Sequence, residues 1–116
     1  VGQLDCIFCK IAAHEAQADI VYEDDDIIAF KDINQQAPIH LLIVPKEHIP
    51  SILKIDEKNS HIIEKVVKVA QQLARENNID NKGFRIVVNT GNDGGQTVDH
   101  LHFHLLGGRF MKWPPG

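Results

Sequence analysis

At 116 residues the chain is the size of one domain, and with 43% hydrophobic and 24% charged residues it has ordinary globular composition, which sets aside the disordered, collagenous and disulfide-built classes. Twelve Lys and Arg against 16 Asp and Glu leave a formal charge of -4, so a sequence-independent grip on nucleic acid or on an anionic membrane is not expected, and any phosphate ligand must be held by local groups. The unusual count is histidine, with seven, beside a single Trp, a single Tyr and a single Met.

Asp5 is placed to cap a short helix beginning at Cys6, with Ile7, Phe8 and Ile11 on one face. That helix carries Cys6 and Cys9 in a CxxC spacing. Two cysteines are few for a disulfide scaffold, and no stretch resembles a signal peptide or an 18-residue apolar span, so a reducing cytoplasm and no membrane association are expected. In that setting a CxxC pair is a half zinc site, a redox pair or two packed thiols, and the spacing alone does not choose among them.

Ile20 to Glu23 and Ile27 to Lys31 are β-prone runs separated by Asp24-Asp25-Asp26, which reads as a hairpin. Consecutive turn residues point in different directions and converge poorly on one ion, so the three aspartates form a solvated turn. His40 to Val44 is a continuous apolar strand ended by Pro45. From Asp56 or Ser60 to Asn78, apolar residues recur at three-to-four spacing and predict one long amphipathic helix lying across a sheet. Phe84 to Asn89 and His100 to Leu106 are the remaining strands, joined by the glycine-rich run Thr90 to Gln96. Hairpins with one long helix predict a single α+β domain over residues 1–116: an antiparallel five-stranded sheet, that helix, and a short N-terminal one.

His100-Leu-His-Phe-His-Leu-Leu106 alternates strictly. On a strand this places three imidazoles on one face and Leu101, Phe103 and Leu105 on the other. Neighbouring like charges disfavour each other, so at least one ring is neutral near pH 7 and available as nucleophile, base or metal ligand. A metal site would need a third ligand and an open position. Nucleophilic use on phosphorus would need an anion cradle, and the loop Asn89 to Thr97, with Gly91, Gly94 and Gly95, leads straight into the histidines.

These residues resemble the His-φ-His-φ-His-φ-φ signature of the histidine triad (HIT) superfamily of nucleotide hydrolases and transferases. The likeness extends through Cys6-Ile-Phe-Cys-Lys-Ile11, Phe30-Lys-Asp-Ile33, Ala37-Pro-Ile-His40, Val44-Pro-Lys, Asn89 and Gly94-Gly-Gln-Thr97. The tail Leu106-Gly-Gly-Arg-Phe-Met-Lys-Trp-Pro-Pro-Gly116 is similar to the Hint branch, the purine nucleoside phosphoramidases. The resemblance implies that His102 attacks the α-phosphorus of a purine nucleotide and forms a nucleotidyl-imidazole that water hydrolyses. It implies that the His100 carbonyl holds the other nitrogen of His102, that His104 contacts phosphate oxygens, and that His40 supports the row.

By the same resemblance Asp32 binds the ribose hydroxyls, and Ile7, Phe8, Ile11, Phe30, Ile33 and Leu42 form the slot for the base. Asn89, Gly95, Gln96 and Thr97 surround the phosphate and leaving group. Branch members are homodimers whose C-terminal residues reach toward the partner's site, which would use Trp113. Thr97 stands where many members have serine and keeps the hydroxyl; Asp99 stands where they have an aromatic residue. In bacterial members with CxxC, the cysteines join two histidines around a structural zinc, here Cys6, Cys9, His48 and His100. Alternative readings are dinucleoside polyphosphate hydrolysis, against which the tail argues, and a nucleotide- or partner-binding dimer with vestigial activity. His14 and His61 have no role and are expected at the surface.

Overall fold

The computed structural model describes residues 5–116, so the first four residues of the 1–116 domain lie outside it. The first helix, α1 (Ile7–Ala12), is capped by Cys6, whose Sγ accepts the Cys9 N–H at 3.4 Å. The expectation that Asp5 would cap it is therefore corrected by one residue: the extended backbone needed at the cap falls on Cys6, and its sulfur supplies the acceptor.

Five antiparallel strands follow the hairpin reading: β1 (Ile20–Glu23), β2 (Ile27–Lys31), β3 (Ile39–Pro45), β4 (Phe84–Val87) and β5 (Phe103–Gly107), in the spatial order β1-β2-β3-β5-β4. The long helix, α2 (His61–Glu76), turns Ile62, Val66, Val69, Ala70, Leu73 and Ala74 inward. The isoleucine, valine and leucine side chains contribute roughly 1.5–3 kcal/mol each by burial, and the two alanine methyls less. The helix does not start at Asp56, because that carboxylate accepts the Lys58 N–H at 2.8 Å in a turn of its own.

The apolar runs of β2 and β3 do not alternate with polar residues because both sheet faces are covered. One face, with Ile27, Ala29, Leu41, Ile43, Phe103 and Leu105, packs on α2. The other, with Ile28, Phe30, Leu42 and Val44, packs on Phe8, Cys9 and Ile11 of α1. A short helix crossing only part of that second face leaves room beside it.

The acidic turn is structural, as expected. Asp24 accepts the N–H groups of Asp26 and Ile27, both at 2.8 Å, and receives the Tyr22 hydroxyl at 2.6 Å, while Asp26 pairs with Lys65 of α2. The segment between β4 and β5 is longer than the sequence suggested. It is held by side-chain bonds, within itself and to the segment after β3: Asn89 Nδ2 donates to the Gly94 carbonyl at 2.7 Å, and Gln96 Nε2 to the Pro50 and Val98 carbonyls at 2.8 and 3.0 Å. Gly94 is required there, since a Cβ would lie 2.3 Å from the Thr90 carbonyl oxygen.

Candidate active site and metal centre

Leu101, Phe103 and Leu105 enter the core beneath α2, so alternation sends His102 and His104 to the opposite face. Their ring centroids are 5.2 Å apart, and His40 on β3 stands 5.2 Å beyond His104. The row is therefore His102, His104, His40. His100 stays on this α1 side of the sheet, 5.8 Å from Phe8, but it precedes β5, which begins at Phe103, and its ring meets Cys6 and Cys9 instead of lining the cleft.

The protonation pattern follows from the partners. His102 Nδ1 lies 2.7 Å from the His100 carbonyl, a pure acceptor, so Nδ1 carries the proton and Nε2 carries a lone pair. His40 is the reverse. Its Nδ1 accepts the Gln36 N–H at 3.1 Å, so the neutral ring holds its proton on Nε2. That Nε2–H donates to His104 Nδ1 at 2.9 Å, with Asp32 Oδ2 at 3.3 Å, which leaves the His104 proton on its own Nε2. Burial keeps both rings neutral: His104 is pushed down to about 4 by desolvation, with His102 and His40 adding and Asp32 opposing. His40 is lowered by the same cause against the same carboxylate. The row thus sets Nε2 of His102, the ring atom turned from the His100 carbonyl, beside the N–H of a neutral His104.

His102 and His104 line a cleft of about 420 Å³ in the space left beside α1. Ile7, Phe8, Ile11, Phe30, Ile33 and Leu42 form its apolar walls, and Asp32 and Thr97 are also at its edge. Phe8 meets the His102 ring edge-on at 5.0 Å and so fixes its plane. Gln17, Ala18, Lys31 and Val98 line the cleft too and were missed. Lys31 and Val98 adjoin residues that were named, so adjacency was an available signal; for Gln17 and Ala18 the sequence carried none. Asn89, Gly95 and Gln96 do not line it; Asn89 is engaged with the Gly94 carbonyl of its own loop and Gln96 with the Pro50 carbonyl after β3. Trp113 is 81% exposed and away from this chain's cleft.

Cys6, Cys9, His48 and His100 form a separate cluster whose ligand atoms all lie within 4.8 Å of one another. Cys6 Sγ is 3.3 Å from His100 Nδ1, and Cys9 Sγ is 3.2 Å from His48 Nδ1. These spacings fit the edges of a small tetrahedron, and two sulfurs with two imidazoles are a structural zinc donor set. His100 Nε2 donates to the Pro45 carbonyl at 2.8 Å, which leaves Nδ1 unprotonated for an ion, as a metal-ligating histidine requires. The cluster can hold zinc. Asp32, His40 and His104 also converge, but they fail the same test, because the Gln36 N–H on His40 Nδ1 keeps the proton on the nitrogen an ion would need.

Among the described residues no helix is long and apolar enough to cross a membrane. His14 and His61 are exposed, and His14 Nε2 lies 2.8 Å from Glu23 Oε2.

The family model described as "Scavenger mRNA decapping enzyme C-term binding" matches residues 5–113. A HIT family hydrolase from Legionella pneumophila Philadelphia 1 superposes with a TM-score of 0.95 at 47% identity, over 97% of this chain and 100% of that one. An uncharacterized HIT-like protein of Synechococcus elongatus is 46% identical over 112 residues, 97% of each chain. A 14 kDa zinc-binding protein of Brassica juncea is 43% identical over 114 residues, 97% of this chain and 100% of its own.

Proposed function

The chain belongs to the histidine triad family, and from that premise we propose that it is a nucleotide hydrolase that cleaves purine nucleoside 5'-phosphoramidates through a nucleotidyl intermediate on His102. The observation that carries this reading is the 2.7 Å contact of His102 Nδ1 with the His100 carbonyl, which turns Nε2 to the cleft beside the N–H of His104. In the first step Nε2 bonds to the α-phosphorus while the P–N bond to the amine breaks, and the amine takes up a proton from solvent at the open cleft as it leaves. In the second, water adds to phosphorus and gives up a proton to solvent while the P–Nε2 bond breaks, releasing the nucleoside monophosphate and returning the lone pair to Nε2. The His104 N–H donates to a phosphate oxygen as charge gathers there. Burial of the row keeps water from weakening that bond.

Asp32 serves the ribose hydroxyls. Its Oδ1 accepts the Asn34 N–H at 2.8 Å, which fixes the carboxylate while leaving acceptor capacity on both oxygens. The apolar walls take the base, and Thr97 is the loop residue placed to reach the phosphate. A zinc on Cys6, Cys9, His48 and His100 plays a structural part in this reading. It holds the backbone of His100, whose carbonyl aims His102. The chain acts in the cytoplasm as a homodimer, with Trp113 placed toward the partner's cleft.

The test is turnover of adenosine 5'-phosphoramidate by the wild type and by His102→Ala. Release of AMP by the wild type, at least about a thousandfold slower in the variant, is the expected outcome. Undiminished turnover by the variant would remove the nucleophile assignment. A marked preference for a dinucleoside polyphosphate over the phosphoramidate would replace the substrate class.

A further inference from the structure

We infer that Arg109, outside the cleft, is a positioning residue: by clamping the Gln36 carbonyl it holds the Gln36 N–H on His40 Nδ1 and so decides which nitrogens of His40 and His104 carry protons. The inference deepens the proposed function and rests on its use of His104 as a donor.

The chain of contacts is continuous. Arg109 Nε and Nη2 donate to the Gln36 carbonyl at 3.1 and 2.9 Å, and Nη1 donates to the Phe110 carbonyl at 3.1 Å. Two N–H groups of one rigid guanidinium on a single oxygen fix its direction as well as its distance. The clamped residue sits in an exposed loop between β2 and β3, where nothing in the sheet ladder orders it. Its own N–H is the donor to His40 Nδ1 at 3.1 Å. His40 is 3% exposed, so water is poorly placed to replace a donor that drifts away.

The consequence of losing that donor is chemical. A neutral imidazole carries one proton, and without the Gln36 N–H its place on His40 Nε2 rests only on the acceptors there, His104 Nδ1 at 2.9 Å and Asp32 Oδ2 at 3.3 Å, so the Nδ1–H form gains population. His40 Nε2 would then face His104 Nδ1 lone pair to lone pair across 2.9 Å. The relief is for His104 to move its proton to Nδ1, which puts a second lone pair into the cleft beside that of His102. Such a site repels the phosphate oxygen it should receive. Arg109 therefore acts on the transition state through three residues, Gln36, His40 and His104, with no contact to substrate.

The tautomers are read directly by imidazole nitrogen NMR on uniformly ¹⁵N-histidine-labelled full-length protein near pH 7.5, alongside steady-state kinetics with adenosine 5'-phosphoramidate. In the wild type His40 and His104 should be protonated on Nε2 and His102 on Nδ1. Arg109→Ala should shift His40 toward the Nδ1–H form and lower kcat on the order of tenfold, the scale of one lost hydrogen bond, with KM within about twofold. Arg109→Lys should recover part of both. If the alanine protein is not folded by its melting curve, Arg109→Gln and Arg109→Lys carry the same comparison. A folded variant whose His40 stays protonated on Nε2 overturns the inference, as does a wild-type His40 protonated on Nδ1. Expected tautomers in a wild type without phosphoramidate turnover would leave the inference standing and sink the functional reading instead.

Discussion

His104 shows how one side chain's surroundings set its chemistry. Its ring is kept neutral by burial and by the two imidazoles on either side, against the pull of Asp32, and its folded value of about 4 lies well below the ordinary 6.5. The sign of the resulting pH dependence follows. The unfolded chain takes up a proton at this residue below pH 6.5 while the folded one does not, so its contribution to stability is complete above 6.5 and is lost as pH falls toward 4. The loss is on the order of 3 kcal/mol for a shift of this size. His104→Asn should therefore flatten the pH dependence of unfolding free energy between 6.5 and 4, measured by urea titration at several pH values. An unchanged slope would show that His104 is charged in the folded protein. The same residue illustrates what was readable in advance: alternation placed it on the face opposite the core, whereas its tautomer depends on a backbone N–H contributed from Gln36, 68 positions earlier in the numbering.

At the scale of elements, α1 is too short to be stable by itself and is held from both sides. Phe8, Cys9 and Ile11 bury against β2 and β3, and Cys6 and Cys9 face His48 and His100. An ion at these four ligands would tie α1 to the loop after β3 and to the segment before β5, three places distant in sequence. Purified protein is expected to carry about one zinc per chain by elemental analysis. Chelation or Cys9→Ala should lower the melting temperature by several degrees without removing the fold of the sheet. A zinc content near zero in protein never exposed to chelator would remove the site. The CxxC spacing left three readings open; only the arrival of His48 and His100 beside it selects among them, and spacing cannot report partners 39 and 94 residues away.

For the molecule as a whole, one exposed apolar surface lies at the β4 edge of the sheet. Phe84 and Ile86 of β4 are 39% and 42% exposed and Val67 of α2 is 45% exposed, with β4 at the sheet edge. An apolar edge of this kind invites pairing with a second copy. The proposed homodimer therefore predicts that Phe84→Glu together with Ile86→Glu gives a monomer by sedimentation velocity, with the wild type sedimenting as a dimer. A wild type that remains monomeric at micromolar concentration would refute it. Because Trp113 is exposed and off its own cleft, a dimer would also be the setting in which the tail meets a second site.

The strand and helix order, the continuous apolar run of β3, and the separation of His102 and His104 from the core were legible in the sequence, because these follow from local periodicity and apolar run length. It also placed most of the cleft's apolar walls through the family resemblance. Tertiary structure decided where each ring nitrogen points. It turned the His100 ring to the cysteine cluster, set His40 against His104, and engaged Asn89 with the Gly94 carbonyl and Gln96 with that of Pro50. The physical reason is range: side-chain alternation acts between neighbours, whereas a proton's position on an imidazole is set by whichever carbonyl or N–H the folded chain brings within about 3 Å.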